Sequence, residues 1–211
     1  MTVVCVKDRA ITEHRILEAV DRIVATKGFE SVGVNAVAQE AGVSKMLIYR
    51  YFGGRDGLLV RYILQGDFWS NVEMTFDKKE SLRENLKSLF KQQILQLREN
   101  ISLRRLLRWE LITQNSSTDF LFERREAKGY AIIGQICKIT QASREEVASL
   151  SAILSAALSY LALMSERYPK YSDLELQKAA GWQTIEMGIE LIIDMWLKRL
   201  ENSNQKQNNK Q

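Results

Sequence analysis

Between Ala41 and Asp56 the chain reads AGVSKMLIYRYFGGRD, and its polar side chains are of the kinds that hold phosphates and touch base edges. From Ala41 to Arg55 it has Lys45, Arg50 and Arg55 and no acid. Lysine and arginine suit phosphates or guanine, and the Tyr49 hydroxyl suits a phosphate oxygen. Met46 can press on a thymine methyl. Ser44 stands where a cap belongs, and the free N–H groups it precedes, with the helix dipole, can bind a phosphate. Arg55, opening the next helix, is placed to clamp the flanking backbone. The expected DNA-binding residues are therefore Ser44, Lys45, Met46, Tyr49, Arg50, Tyr51 and Arg55.

Other chemistry is poorly provided for. The chain has a single histidine, His14, beside Arg15 on a helix. No nucleophile, base and acid grouping, no metal-ligand cluster and no phosphate-cradling glycine loop is apparent. Cys5 and Cys137 lie far apart and in no ligand spacing, which reads as free thiols in a reducing cytoplasm. No catalytic residue, metal or cofactor is expected, and an enzyme is the weakest reading.

The elements that must position the basic stretch follow a helical period. Apolar residues recur at three and four, proline occurs once, at Pro169, and no alternating run suggests a sheet. The first helix is predicted over about Ile11 to Thr26, with Thr12 as its cap and Gly28 as its stop. A short helix covers about Val34 to Ala41, ended by Gly42, and another runs from Ser44 to about Phe52, broken by Gly53-Gly54. Longer helices follow over about Arg55–Phe76, Ser81–Asn100, Leu103–Thr113 and Asp119–Thr140. Ser143, with Glu146 completing a capping box, opens a helix to about Tyr168. After the turn YPKYSD, Asp173 caps the last helix to about Leu200. The fold class is all-α: an N-terminal arm (1–10), a three-helix helix-turn-helix domain (11–54), a larger ligand-binding and dimerisation domain (55–200) and a disordered polar tail (201–211).

A helix-turn-helix makes definite demands on the residues at its corner. A small residue is needed where the first helix faces the second, and Ala38 is there. A residue tolerant of positive φ is needed at the turn, and Gly42 is there. Val37, Val43, Ile48 and Phe52 supply the inward face. Packing alone could explain this corner; the outward basic set favours DNA.

The stretch from Ile16 to Leu59 resembles the amino-terminal domain of the TetR family of bacterial transcriptional regulators, in the pieces GFE, VAQEAGVSK, LIYRYF and RDGLL. The resemblance covers about a fifth of the chain. It implies a two-fold dimer whose recognition helices read a palindromic operator, and a divergent carboxy-terminal domain holding a small-molecule pocket. Three places depart from the family pattern. Val32 and Gly33 stand where a hydroxyl pair would cap the second helix, Met46 and Leu47 are bulkier than usual, and Gly53-Gly54 replace proline and serine.

In the carboxy-terminal part, Trp182, Ile185, Ile189, Ile192 and Trp196 recur at three and four, and Ser151, Ser155 and Ser159 recur at four. An apolar face and a small-residue stripe suggest a four-helix dimer interface; the other reading is that both face the chain's own core. Phe68, Trp69, Trp109, Phe120, Tyr160 and Met164 are the bulky candidates for a ligand cavity. Glu110 shares a face with Leu103, Leu106 and Leu107. It either pairs with an arginine such as Arg104 or Arg108 or recognises a cationic ligand.

Composition bounds these readings. The 211 residues are 45% hydrophobic and 27% charged, with a formal charge of +4, a mild basic bias that permits nucleic acid as a partner without requiring it. Val147–Ser165 has no charge and approaches the ~20 residues that span a bilayer. It carries five serines, however, and reads better as a buried or interface helix of a soluble cytoplasmic protein. The leading expectation is a ligand-released repressor acting on double-stranded DNA as a homodimer, with no membrane partner. The alternative is an effector-independent helix-turn-helix protein, an activator or an architectural factor.

Overall fold

The structure, a computed structural model, describes residues 2–66 and 79–208, and side chains over 9–66 and 82–203. Apart from one small hairpin it is helical: α1 (Thr2–Lys27), a 3-10 turn (Phe29–Ser31), α2 (Val34–Ala41), α3 (Lys45–Phe52), α4 (Arg55–Gly66), α5 (Lys79–Glu99), α6 (Ile101–Ile112), α7 (Ser116–Thr140), α8 (Arg144–Ser165), β1 (Lys170–Tyr171), β2 (Leu174–Glu175) and α9 (Ala179–Asn208). The all-α class expected from the helical period is what the structure has. The chain forms two compact units, each built from separate stretches of sequence.

The first unit holds α1 to α4, α6 and α7 as far as Arg125. Its core is one continuous apolar set: Ile16, Val20 and Val24 of α1, Val37 of α2, Ile48 of α3, Leu58 and Ile63 of α4, and Leu103 and Leu106 of α6 are all buried. Phe29, on the 3-10 turn, stacks on Trp109 of α6 with ring centroids 5.0 Å apart and leans on Tyr62 of α4 at 5.9 Å. Such pairs add about 0.5–1.5 kcal/mol each beyond their buried area. This unit is larger than the domain drawn at 11–54, because α4 and α6 bury their apolar faces against the same core.

Polar bonds fix α4 and α6 on α1. The Tyr62 hydroxyl donates to Asp21 Oδ1 at 2.5 Å, and Ser102 Oγ donates to the same oxygen at 2.8 Å. Arg105 donates to the Val24 carbonyl at 2.6 Å. Burial, and then the bond to Asp21, pushes the Tyr62 phenol well above its ordinary range.

The second unit holds α5, α7 from Glu126, α8, the hairpin and α9. Its interior takes Leu86 and Leu97 from α5, Leu154 and Leu158 from α8, and Trp182, Ile185, Ile189 and Ile193 from α9. Along the edge between α5 and α9, basic residues at steps of four meet acids at steps of four. Arg83 and Lys87 bond Asp194 at 2.5 and 3.0 Å, and Lys91 pairs with Glu186 at 3.0 Å.

Several expected boundaries move for local reasons. The first helix begins at Thr2, so Thr12 lies inside it and residues 2–10 are helical and not a separate arm. Helix α9 continues to Asn208, through most of the tail expected to be disordered. Asp173 does not cap it. Ser172 and Asp173 have φ of 46° and 63° and make the two-residue turn of a hairpin pairing Lys170 with Glu175. Left-handed backbone at both turn positions is what a tight hairpin needs. The Ser143 hydroxyl accepts from the Glu146 N–H as a capping box requires, but the Glu146 carboxylate reaches Trp196 Nε1 at 2.5 Å and Arg199 on α9.

Candidate nucleic-acid interface

The corner between α2 and α3 is made by one residue in the left-handed region. Gly42 has φ 62° and ψ 39°, and its N–H reaches back to the Ala38 and Gln39 carbonyls. The Val43 N–H also returns to the Ala38 carbonyl, at 3.0 Å. These bonds satisfy the last carbonyls of α2 and turn the chain at once into α3. Ala38 is buried at the crossing, as are Val37 and Ile48; Val43 and Phe52 are half-buried. A second tight place follows. A Cβ on Gly57 would lie 1.9 Å from the Phe52 carbonyl oxygen, so the start of α4 packs on the end of α3 only with glycine there.

With Ile48 inward, the outer flank of α3 carries Lys45, Met46, Tyr49 and Arg50. Met46 is 77% exposed and Tyr49 58% exposed, large values for an apolar and an aromatic side chain on a packed helix. Lys45 and Arg50 are exposed and form no ion pair among the described residues. Ser44 occupies the cap position with extended backbone, φ −73° and ψ 146°, yet its hydroxyl does not bond to the helix. The Lys45 and Met46 N–H groups in the first turn of α3 thus keep their capacity for an outside acceptor, while the Leu47 N–H bonds the Ser44 carbonyl at 3.1 Å.

Tyr51 and Arg55 have partners within the unit. Tyr51 is half-buried with the Arg9 guanidinium over its ring at 5.1 Å. Arg55 Nε donates to the Val32 carbonyl at 2.7 Å, which ties the start of α4 to the loop ahead of α2. That bond commits the Arg55 Nε inside the unit, while the side chain stays 40% exposed.

Residues 16–62, which hold this corner, match the family described as bacterial regulatory proteins, tetR family. This domain belongs to the TetR family. An uncharacterized HTH-type transcriptional regulator of Mycobacterium tuberculosis (strain H37Rv) is 39% identical over 53 residues, 25% of this chain and 26% of that protein. Another, from Haemophilus influenzae, is 30% identical over 89 residues, 41% of this chain and 48% of that one. The matches thus span less than half of the curated relatives. The TetR-type fold extends further than the sequence likeness. A TetR family transcription regulator from Marinobacter aquaeolei superposes with a TM-score of 0.59 at 17% identity, covering 89% of this chain and 95% of that one. NalD, the secondary repressor of the MexAB-OprM multidrug efflux pump in Pseudomonas aeruginosa, gives 0.57 at 19%, covering 86% and 97%.

Outside the TetR-family domain, the candidate pocket residues are not gathered in one unit. Phe68 and Trp69 lie outside the described residues. Trp109 is buried in the first unit's core with its ring stacked on Phe29. Phe120 is exposed in the same unit. Glu110 pairs with Arg125 on α7 at 2.6 Å, and not with the nearer-in-sequence Arg104 or Arg108. Tyr160 and Met164 are in the second unit, where Tyr160 is half-exposed with its ring edge-on to Tyr171 at 5.8 Å.

The candidate interface residues also divide. Trp182, Ile185 and Ile189 point into the second unit's own core, and the Trp182 indole donates to the Leu176 carbonyl at 2.7 Å. Trp196 is tied to Glu146. Ser151, Ser155 and Ser159 are half-buried, while Ile192 is exposed. The exposed apolar surface lies on the opposite faces of the same two helices: Ile153, Ala156, Ala157 and Tyr160 on α8, and Met187, Leu191, Ile192 and Met195 on α9. Met187, Leu191 and Met195 step by four, which was as visible in the sequence as the inward stripe. Sequence reasoning also passed over Gln93, a polar residue within an apolar stripe of α5, and Arg9.

Proposed function

We propose that the chain is a transcriptional repressor that binds a palindromic operator as a homodimer and is released by a small molecule. The observation carrying the first part is the outer flank of α3. It offers Ser44, Lys45, Met46, Tyr49 and Arg50 to an outside partner, on a helix whose inner flank is locked by Ile48 and by the Gly42 corner. A helix held in that way fits a major groove, with its amino-terminal residues against bases and phosphates. Tyr51 and Arg55 steady that surface, and the exposed part of the Arg55 side chain is placed to clamp the flanking phosphates.

A palindrome calls for two copies with recognition helices about one DNA turn, roughly 34 Å, apart. The exposed apolar faces of α8 and α9 supply a self-complementary surface for such a pair. Helix α8 is long and apolar enough to cross a bilayer by length and composition alone, and 22% of that window is buried. Its opposite face is packed through Leu154 and Leu158 in the second unit, and the exposed face is shared with α9, which favours a second copy over lipid.

The test is to select genomic fragments with purified protein and measure binding by gel shift. Arg50→Ala should lower affinity for the selected fragment about tenfold or more. Failure of the wild type to retain double-stranded DNA at low salt would end this reading.

A further inference from the structure

Helix α5 buries a stripe at steps of four, three, four and four: Leu82, Leu86, Leu89, Gln93 and Leu97. At 3.6 residues per turn these share one face, so Gln93 lies amid leucines, with Phe90 one turn before it on the adjoining row. Gln93 is 2% exposed, and its Oε1 has no hydrogen-bond partner. Three of the other buried polar side chains among the described residues are bonded: Ser102 Oγ donates to Asp21, Thr118 Oγ1 to the Asn115 carbonyl and Thr140 Oγ1 to the Ile136 carbonyl. Glutamine carries no catalytic duty here and packs worse than leucine. A buried amide oxygen without a donor is costly in apolar surroundings, and a visiting donor offsets that cost.

We infer that Gln93 is the polar anchor of an effector site inside the second unit. Its ligand is an uncharged, mainly apolar molecule bearing one N–H or O–H donor. The donor requirement follows from Oε1 being an acceptor. The apolar requirement follows from Leu89, Phe90 and Leu97 around it. Charge is disfavoured because no aspartate, glutamate, lysine or arginine is buried among the described residues to meet one. The inference rests on the effector-released reading above and names the chemical class that reading leaves open.

A matched pair of probes tests it on the full-length protein: octan-1-ol, which donates, and methyl octyl ether, which only accepts. By calorimetry the wild type should bind the alcohol roughly tenfold more tightly, the discrimination expected when one ligand meets a buried acceptor and the other leaves it unpaired. Gln93→Leu and the closer-volume Gln93→Met should bind both probes equally, with ether affinity within about twofold of wild type. Equal wild-type affinities, binding of neither probe, or variants that keep the preference would overturn the anchor. Gel shifts on the selected operator fragment separate the two levels. Loss of DNA binding in the wild type defeats the regulator reading, whereas intact DNA binding without probe discrimination defeats only the role of Gln93.

Discussion

Arg55 Nε donates to the Val32 carbonyl oxygen over 2.7 Å, joining the first turn of α4 to the loop that leads into α2. The two residues are 23 positions apart, and the bond ties the loop ahead of α2 to α4. Hydrogen bonds from a charged donor contribute about 1.5–3 kcal/mol. Part of the side chain is in water, so the lower end applies. Arg55→Ala should therefore cost about 1–2 kcal/mol in urea unfolding. Operator affinity, measured where the variant is fully folded, should fall far less than for Arg50→Ala.

Phosphate and base contacts on α3 should separate by salt. Lys45→Ala is expected to weaken binding to all duplexes alike and to lower the slope of log affinity against log salt by about 1. Arg50→Ala, if it meets a base edge, should instead narrow the gap between operator and random DNA by about 1–3 kcal/mol. Binding titrations at four salt concentrations read both quantities. Identical slopes for wild type and Lys45→Ala would exclude a phosphate contact there.

The Tyr62–Asp21 bond gives a pH signature. Burial and the bond to Asp21 raise the phenol's pKa in the folded state. The unfolded chain then releases this proton first, near pH 10, so the stabilisation is complete below that pH and is lost as pH rises beyond it. Tyr62→Phe should cost about 1 kcal/mol at pH 7. The gap between wild type and variant should shrink from pH 9 upward, followed by chemical unfolding at each pH. A gap that stays constant to pH 11 would show that the phenol is not protected.

Leu191 is 59% exposed at the middle of the outward stripe on α9. Leu191→Glu should leave the helical circular dichroism spectrum unchanged and convert a dimer to a monomer in sedimentation velocity, since an interface buries a charge at a cost of several kcal/mol. Ile189→Glu is the control from the inward face. It should unfold the second unit, because Ile189 belongs to that unit's core.

The helix-turn-helix corner was legible because its requirements are local. A small residue, a left-handed turn and an inward apolar residue fall within eleven positions, at Ala38, Gly42 and Ile48, and backbone geometry leaves few other ways to use them. Long-range partners were not legible. Arg104 and Arg108 are close to Glu110 in sequence but six and two positions away, not at the three or four that bring helical side chains together, and the helix after the next turn brings Arg125 to it. Nothing in a sequence shows that the Val32 carbonyl points at Arg55. Helical period places Trp182, Ile185 and Ile189 on one face but does not say which of two apolar faces turns inward. Volume decides this: the indole fills the interior and finds the Leu176 carbonyl, leaving the flexible Met187 and Met195 outside. Asp173 looked like a cap because aspartate serves both caps and tight turns, and here the hairpin took it.

Glu146 sits three residues into α8, where its carboxylate would ordinarily fold back to close its own helix end; it is instead held by Trp196 and Arg199. Fraying of α8 at its beginning therefore has to release the far stretch of α9, and loosening of α9 there strips α8 of its stopper. In hydrogen exchange, amides in those two places, some fifty positions apart along the chain, should open as one event with a common rate.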